Sequence, residues 1–177
     1  MPPIVIADPS LVVLIGAAGA GKSTLAARLF APEEIVSSDA LRAAIAGDEA
    51  DQRVSGIVFR VLHRTVARRL ASGQLTVVDA TNTQPTFRRP LVARARAAGL
   101  PATAIVLDFD AATVAQQNAS RARVVDGAVV ERHLAAVRRT VDRDVLGLEG
   151  FDQVVVIRTP AEGLVLSIER LVRPHPG

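Results

Sequence analysis

Apolar residues fall along this chain in two spacings. Near-continuous runs rich in Val, Ile and Leu occur at Leu11 to Ile15, Ile35 to Ser38, Leu75 to Ala80, Ala102 to Phe109 and Gln153 to Arg158, bounded by Asp, Ser, Gly or Pro. A strand that alternates apolar and polar positions keeps one face in water, whereas a run without alternation is buried on both faces, as in a parallel sheet covered by helices. The segments between carry the helical period: Lys22 to Phe30, Ala40 to Ala46, Gln52 to Ser72, Pro85 to Ala98, Ala111 to Ser120, Val129 to Leu146 and Ala161 to Val172. Gly73 and Gly99 stand where helix C-terminal caps are expected, and Pro85 opens a helix where its missing N–H is harmless. The pattern predicts an α/β fold, a doubly wound sheet of about five parallel strands with helices on both faces and right-handed crossovers.

Length and composition narrow this picture. A chain of 177 residues, 49% of them apolar, is expected to form one domain over 1–177 with its own core. Cysteine is absent, which excludes disulfides, thiolate metal sites and cysteine nucleophiles and fits a reducing cytosol. The longest apolar run, Leu11 to Gly21, is about half of what a membrane span needs and stops at a lysine. Met1-Pro2-Pro3 lacks the basic stretch that leads a secretory signal, so a cytoplasmic location with no membrane partner is expected. The net charge of +3 is compatible with phosphate-rich partners and decides nothing alone. Of the 21 Lys and Arg, however, only Lys22 is lysine. An ammonium is a compact point charge and a guanidinium a broad planar fork, so the position that keeps the one lysine calls for the compact charge.

Lys22 lies in Gly16-Ala17-Ala18-Gly19-Ala20-Gly21-Lys22-Ser23, followed by Thr24, after a predicted strand and before a predicted helix. This is the phosphate-binding loop pattern in its proper context. Glycines let the backbone wrap a phosphate closely, N–H groups point inward, and the helix N-terminus adds partial positive charge. Lys22 then reaches the β- and γ-phosphates of ATP or another nucleoside triphosphate, and Ser23 offers its hydroxyl to Mg²⁺. Such a site also needs a carboxylate ending a neighbouring strand. Asp79, in Leu75-Thr76-Val77-Val78-Asp79-Ala80-Thr81-Asn82, is placed to organise Mg²⁺, or else it caps a turn.

Asp39 follows the second strand, and Arg42 comes one helical turn later. A carboxylate there takes the proton from an attacking hydroxyl while the guanidinium binds an anionic group on the acceptor; the plainer alternative is a helix cap beside a surface arginine. Arg121 and Arg123 lie between two helical segments, in a stretch of about 111–146 that reads as a helical lid delivering positive charge to the transferred phosphoryl group, or as a solvated turn. Arg60, Arg64 and Arg68 form a basic stripe, either a solvated face or a track for a polynucleotide. His63 and His133 have no ligand-type partners at metal spacing.

Together these blocks resemble the kinase module of the bacterial polynucleotide kinase-phosphatase, a polynucleotide 5′-hydroxyl kinase of the P-loop phosphotransferase superfamily. The likeness runs from about Leu14 to Leu146. It takes in the phosphate loop, Ser37-Ser38-Asp39 with Arg42, Asp48-Glu49-Ala50-Asp51-Gln52, Val61-Leu62-His63, the Asp79 strand, Arg88, the lid and Arg132-His133. The resemblance implies a P-loop kinase-like fold and Mg²⁺-dependent transfer of the γ-phosphate of ATP to the 5′-OH end of DNA or RNA. It also implies that Asp39 is the general base, that Arg42 contacts the acceptor's phosphate, and that Arg121 and Arg123 grip the donor phosphates. Two departures stand out. Where the family's lid helix has an arginine before an asparagine, this chain has Gln117 before Asn118, and the lid spacing is one residue short. A kinase of a small metabolite or nucleoside would use the same donor machinery, and a nucleotide-binding ATPase module would have no acceptor at all.

Overall fold

The computed structural model describes residues 2–46, 55–120, 124–142 and 144–172. Its strands are β1 (Ile4–Asp8), β2 (Leu11–Gly16), β3 (Ile35–Ser37), β4 (Thr76–Asp79), β5 (Ala102–Leu107), β6 (Gln153–Ile157) and β7 (Ile168–Val172). Its helices are α1 (Lys22–Leu29), α2 (Ser38–Ala46), α3 (Ser55–Ala71), α4 (Pro85–Ala97), α5 (Ala111–Ala119), α6 (Gly127–Asp142), α7 (Val145–Glu149) and α8 (Pro160–Val165).

Five strands form the expected parallel sheet, in the order β3-β4-β2-β5-β6. Successive side chains of a strand point to opposite faces. On β2, Val12 and Leu14 join one buried cluster with Leu25 and Ala26 of α1 and Val130 and Leu134 of α6. Leu11, Val13 and Ile15 join a second with Leu62, Val66 and Leu70 of α3 and Leu91 and Val92 of α4. The sheet is therefore covered on both faces, which is why its strands are unbroken apolar runs. Gly73 and Gly99 follow α3 and α4 in the left-handed conformation expected of caps, at φ 64° and 68°.

Three expectations need correction. The predicted helix Ala161 to Val172 stops at Val165, and Ile168–Val172 is a strand that pairs in parallel with β1, from Ile4↔Ile168 to Asp8↔Val172. Leu166 turns extended at the end of α8 and is buried in the core, which redirects the chain toward β1. The strand β1 itself was not anticipated; its signal is the alternation of buried Ile4 and Ile6 between Pro3 and Pro9. The predicted helix Val129 to Leu146 divides into α6 and α7, because Asp144 adopts a left-handed conformation at φ 48° ahead of α7. Among the described residues no helix is long and apolar enough to cross a membrane.

Candidate functional site

Each strand of the five-stranded sheet contributes its C-terminal end to one cleft of about 950 Å³, lined by Gly19 to Lys22 after β2, Ser38 and Asp39 after β3, Asp79 of β4, Phe109 after β5 and Pro160 after β6. Strand order reverses at β2, and such switch points leave a crevice in open α/β sheets.

The β2–α1 loop is built by its own backbone. Gly16 N–H donates to Thr81 C=O at 3.1 Å, which pins the loop to the end of the neighbouring strand. Gly19 and Gly21 have φ of 85° and 82°, a region that side-chain-bearing residues rarely occupy, and a Cβ on Gly19 would come within 3.0 Å of Asn118. Gly21 is the N-terminal cap of α1, whose first turn contains no acidic residue to offset the partial positive charge. Lys22 is buried and folds back over the loop, its Nζ donating to Gly16 C=O at 3.1 Å and Ala17 C=O at 2.7 Å. Ala18 and Ala20 line the same cleft, as do Ser23 and Thr24, both exposed.

A helix covers this loop. Ala18 N–H donates to Nδ1 of His133 on α6 at 3.3 Å. Burial lowers the His133 pKa below the usual histidine value, and the positive charges of Lys22 and Arg132 push the same way, so the ring is held neutral with Nδ1 free to accept. On α5, Asn118 donates to Val125 C=O at 2.8 Å and accepts from Val125 N–H at 3.0 Å, joining α5 to the start of α6. Gln117 projects toward Gly21, and its Oε1 is buried with no hydrogen-bond partner among the described residues. Arg121 and Arg123 lie outside the described residues, as does the stretch from Asp48 to Gln52.

At the other end of the cleft Asp39 sits in the first turn of α2, half exposed. Arg42 points back to it, Nη1 to Asp39 Oδ1 at 3.3 Å, while Nη2 donates to Ser55 Oγ at 3.4 Å. The Arg42 side chain is 7% exposed, and its Nε has no partner among the described residues. Asp79 ends β4, is buried and lines the cleft with Ser23. A carboxylate and a hydroxyl are hard oxygen donors of the kind Mg²⁺ takes alongside phosphate oxygens. Among the described residues no three His, Cys, Asp or Glu side chains gather as a resident metal site. This chemistry fits a metal that arrives with its nucleotide.

Of the site residues named from sequence within the described range, Ala18 to Thr24, Asp39, Arg42 and Asp79 line one cleft, while Gly16 and Ala17 do not line it and meet it only through the Lys22 Nζ they accept from. The chain also brings residues there that sequence reasoning passed over. Phe109, Val124, Val125, Pro160 and Leu164 make an apolar end beyond the phosphate loop, and Phe59 and Phe87 face the cleft near Arg42. None of these carried a signal along the chain, since their elements are joined only by folding. Arg60, Arg64 and Arg68 are exposed on α3 and do not line the cleft.

No curated protein matches the sequence. Among solved structures, a chain of the Pnkp1/Rnl/Hen1 RNA repair complex superposes with a TM-score of 0.66 at 20% identity, over 76% of this chain and 46% of that one. This chain thus spans under half of that protein's length. A gluconokinase from Sinorhizobium meliloti matches with a TM-score of 0.55 at 16% identity, over 89% of this chain and 90% of that one. A sugar kinase from Janibacter does so with 0.58 at 18%, over 88% and 90%. At these identities the likeness is one of fold, and the fold is P-loop kinase-like. A family model described as an AAA domain matches residues 11–143, from β2 through α6, and the chain belongs to that family.

Proposed function

We propose that this protein is a phosphotransferase that moves the γ-phosphate of ATP, or of another nucleoside triphosphate, to the 5′-hydroxyl end of a DNA or RNA strand. The observation that carries the reading is one cleft holding both the Lys22 loop and the Asp39–Arg42 pair, a donor end and an acceptor end on the same sheet edge.

The donor's phosphates lie along the loop from Gly16 to Thr24, Ala18 N–H staying with His133, and the Lys22 ammonium exchanges its carbonyl partners Gly16 and Ala17 for phosphate oxygens. Ser23 and Asp79 would hold Mg²⁺. When bound, the ion offsets charge on the phosphate oxygens. Asp39 accepts the proton of the attacking hydroxyl, whose oxygen bonds to the γ-phosphorus as the bond to the β–γ bridging oxygen breaks. Arg42 holds an anionic group of the acceptor. The chain acts as a single P-loop kinase domain over 1–177, in which 111–146 is the lid and Arg121 and Arg123 neutralise charge on the phosphoryl group in flight.

Replacing Lys22 with Ala abolishes transfer. Asp39→Ala lowers it by about 10² to 10⁴ while ATP binding persists; unchanged turnover in that variant refutes general-base catalysis and favours an ATPase module. A second reading, a kinase of a small metabolite, is favoured by the two sugar kinases that match nearly end to end. Transfer of labelled γ-phosphate, with 5′-OH oligonucleotides competing against sugars and nucleosides, separates the two. An unlabelled oligonucleotide beside a labelled sugar removes the polynucleotide reading.

A further inference from the structure

The chain has five phenylalanines and neither Trp nor Tyr. Phe30, Phe109 and Phe151 are spent on the core, each buried to 6% exposure or less. Phe59 and Phe87 belong to neither core cluster; both are half-buried, and both line the cleft. Their rings stack in parallel, centroids 5.1 Å apart and planes 9° from one another, across the gap between α3 and the first turn of α4. Ser55, which accepts from Arg42, lies one turn before Phe59 on α3. The aromatic pair therefore includes a ring one turn along α3 from the hydroxyl that receives the Arg42 guanidinium, in the same cleft.

An aromatic pair used only to pack two helices would be expected to close within a core cluster, as Phe30, Phe109 and Phe151 do, although Phe109 also reaches the cleft wall. This pair instead turns area toward a cleft that Asp39 and Arg42 also line. A flat π surface beside an anion-binding arginine is what a nucleobase next to a phosphate requires, because stacking accepts any base by its face while the arginine holds the backbone. A sugar ring, by contrast, needs hydrogen-bond partners for its hydroxyls, and the rings themselves offer none.

We infer that Phe59 and Phe87 form the platform on which the terminal nucleobase of the acceptor stacks, so that the substrate is a base-bearing 5′-end without preference among the bases. This rests on the polynucleotide kinase reading and adds to it the group that recognises the end.

The test uses the full chain and two 5′-OH oligonucleotides of equal length, one with a base at its terminal residue and one abasic there. The intact enzyme is expected to favour the base-bearing strand by about 10- to 100-fold in kcat/KM. In Phe59→Leu, which keeps an apolar side chain and removes the π face, that ratio falls toward one. Thermal melting and ATP binding of the variant establish that it is folded. Ring-proton resonances of Phe59 in the wild type shift on titration with a 5′-OH dinucleotide and stay put with its abasic counterpart. Equal labelling of both strands by the wild type, or a ratio that survives in Phe59→Leu, overturns the platform and leaves the polynucleotide kinase standing. Failure to label any oligonucleotide, with sugars accepted, overturns both.

Discussion

Two buried arginines treat their donors in opposite ways. Arg88 of α4 is fully buried; its Nε and Nη2 meet the two oxygens of buried Glu149 at 2.7 and 2.6 Å, and its Nη1 donates to Asn82 C=O at 2.9 Å. Arg42 of α2 is nearly as buried, yet among the described residues its hydrogen bonds are two, 3.3 and 3.4 Å long, and its Nε has no partner. A buried donor left unmade costs about 1 to 3 kcal/mol, more when charged. Arg88 shows that this fold can give every nitrogen of a guanidinium a short hydrogen bond. The loose pairing of Arg42 is what its proposed role of holding an acceptor's anion calls for, whereas Arg88 is tied into the fold. Through Asn82, which donates to Leu14 C=O at 2.8 Å, the Arg88 junction steadies the end of β2 from which the phosphate loop springs.

The hardest blow to this contrast comes from Arg88→Ala. It strands the Glu149 carboxylate in the core, and breaking a buried pair by removing one partner costs about 3 to 5 kcal/mol. Urea unfolding is expected to register that loss. Replacing both partners with apolar residues of similar volume recovers most of it, and a loss under about 1 kcal/mol in the single variant erases the distinction between the two arginines.

A smaller effect, of a different kind, is expected at Arg42. Arg42→Ala changes stability by less than about 1 kcal/mol, since exposed Asp39 is an easily solvated partner. It lowers kcat/KM for the acceptor by about 10- to 100-fold, the worth of a charge-assisted hydrogen bond, with ATP affinity unchanged. Arg42→Lys recovers only part, because a point charge does not replace a fork. Equal losses of stability and activity would make Arg42 a second Arg88.

The smallest effect sharpens the comparison from the other side of the cleft, where His133 is a half-buried base used as an acceptor. Burial holds its folded-state pKa below that of the unfolded chain, with Lys22 and Arg132 adding to the shift. Below the ordinary histidine pKa of about 6.5 the unfolded chain binds more protons, so stability falls as pH drops through that value. His63 is lowered too, first by burial and then by Arg94, and titrates in the same sense. The measurement is thus the difference in pH dependence between wild type and His133→Gln, the variant showing the shallower decline. Identical profiles would show that the bond to Ala18 N–H contributes nothing.

How far each feature could be read in advance depends on its span along the chain. The phosphate loop is eight consecutive residues whose glycines and lysine act through local backbone geometry, and Asp39 with Arg42 spans a single helical turn. Both were visible. The strand β7 was not, because the helical period of Ala161 to Val172 is overridden after Val165 by pairing with β1 at the opposite end of the chain. Gln117 was legible as a missing arginine, but its buried Oε1 near Gly21 could be known only from the packed helix.

The order of residues alone was enough for the layered α/β architecture, the five parallel strands and the loop that cradles phosphate, since periodicity and local conformation need only near neighbours. It took the closed fold to bring His133 onto Ala18, 115 positions away, to join Glu149 to Arg88 and to stack Phe59 on Phe87. Such contacts depend on how helices seat against a shared sheet, and no spacing along the chain encodes which distant side chains that seating will bring together.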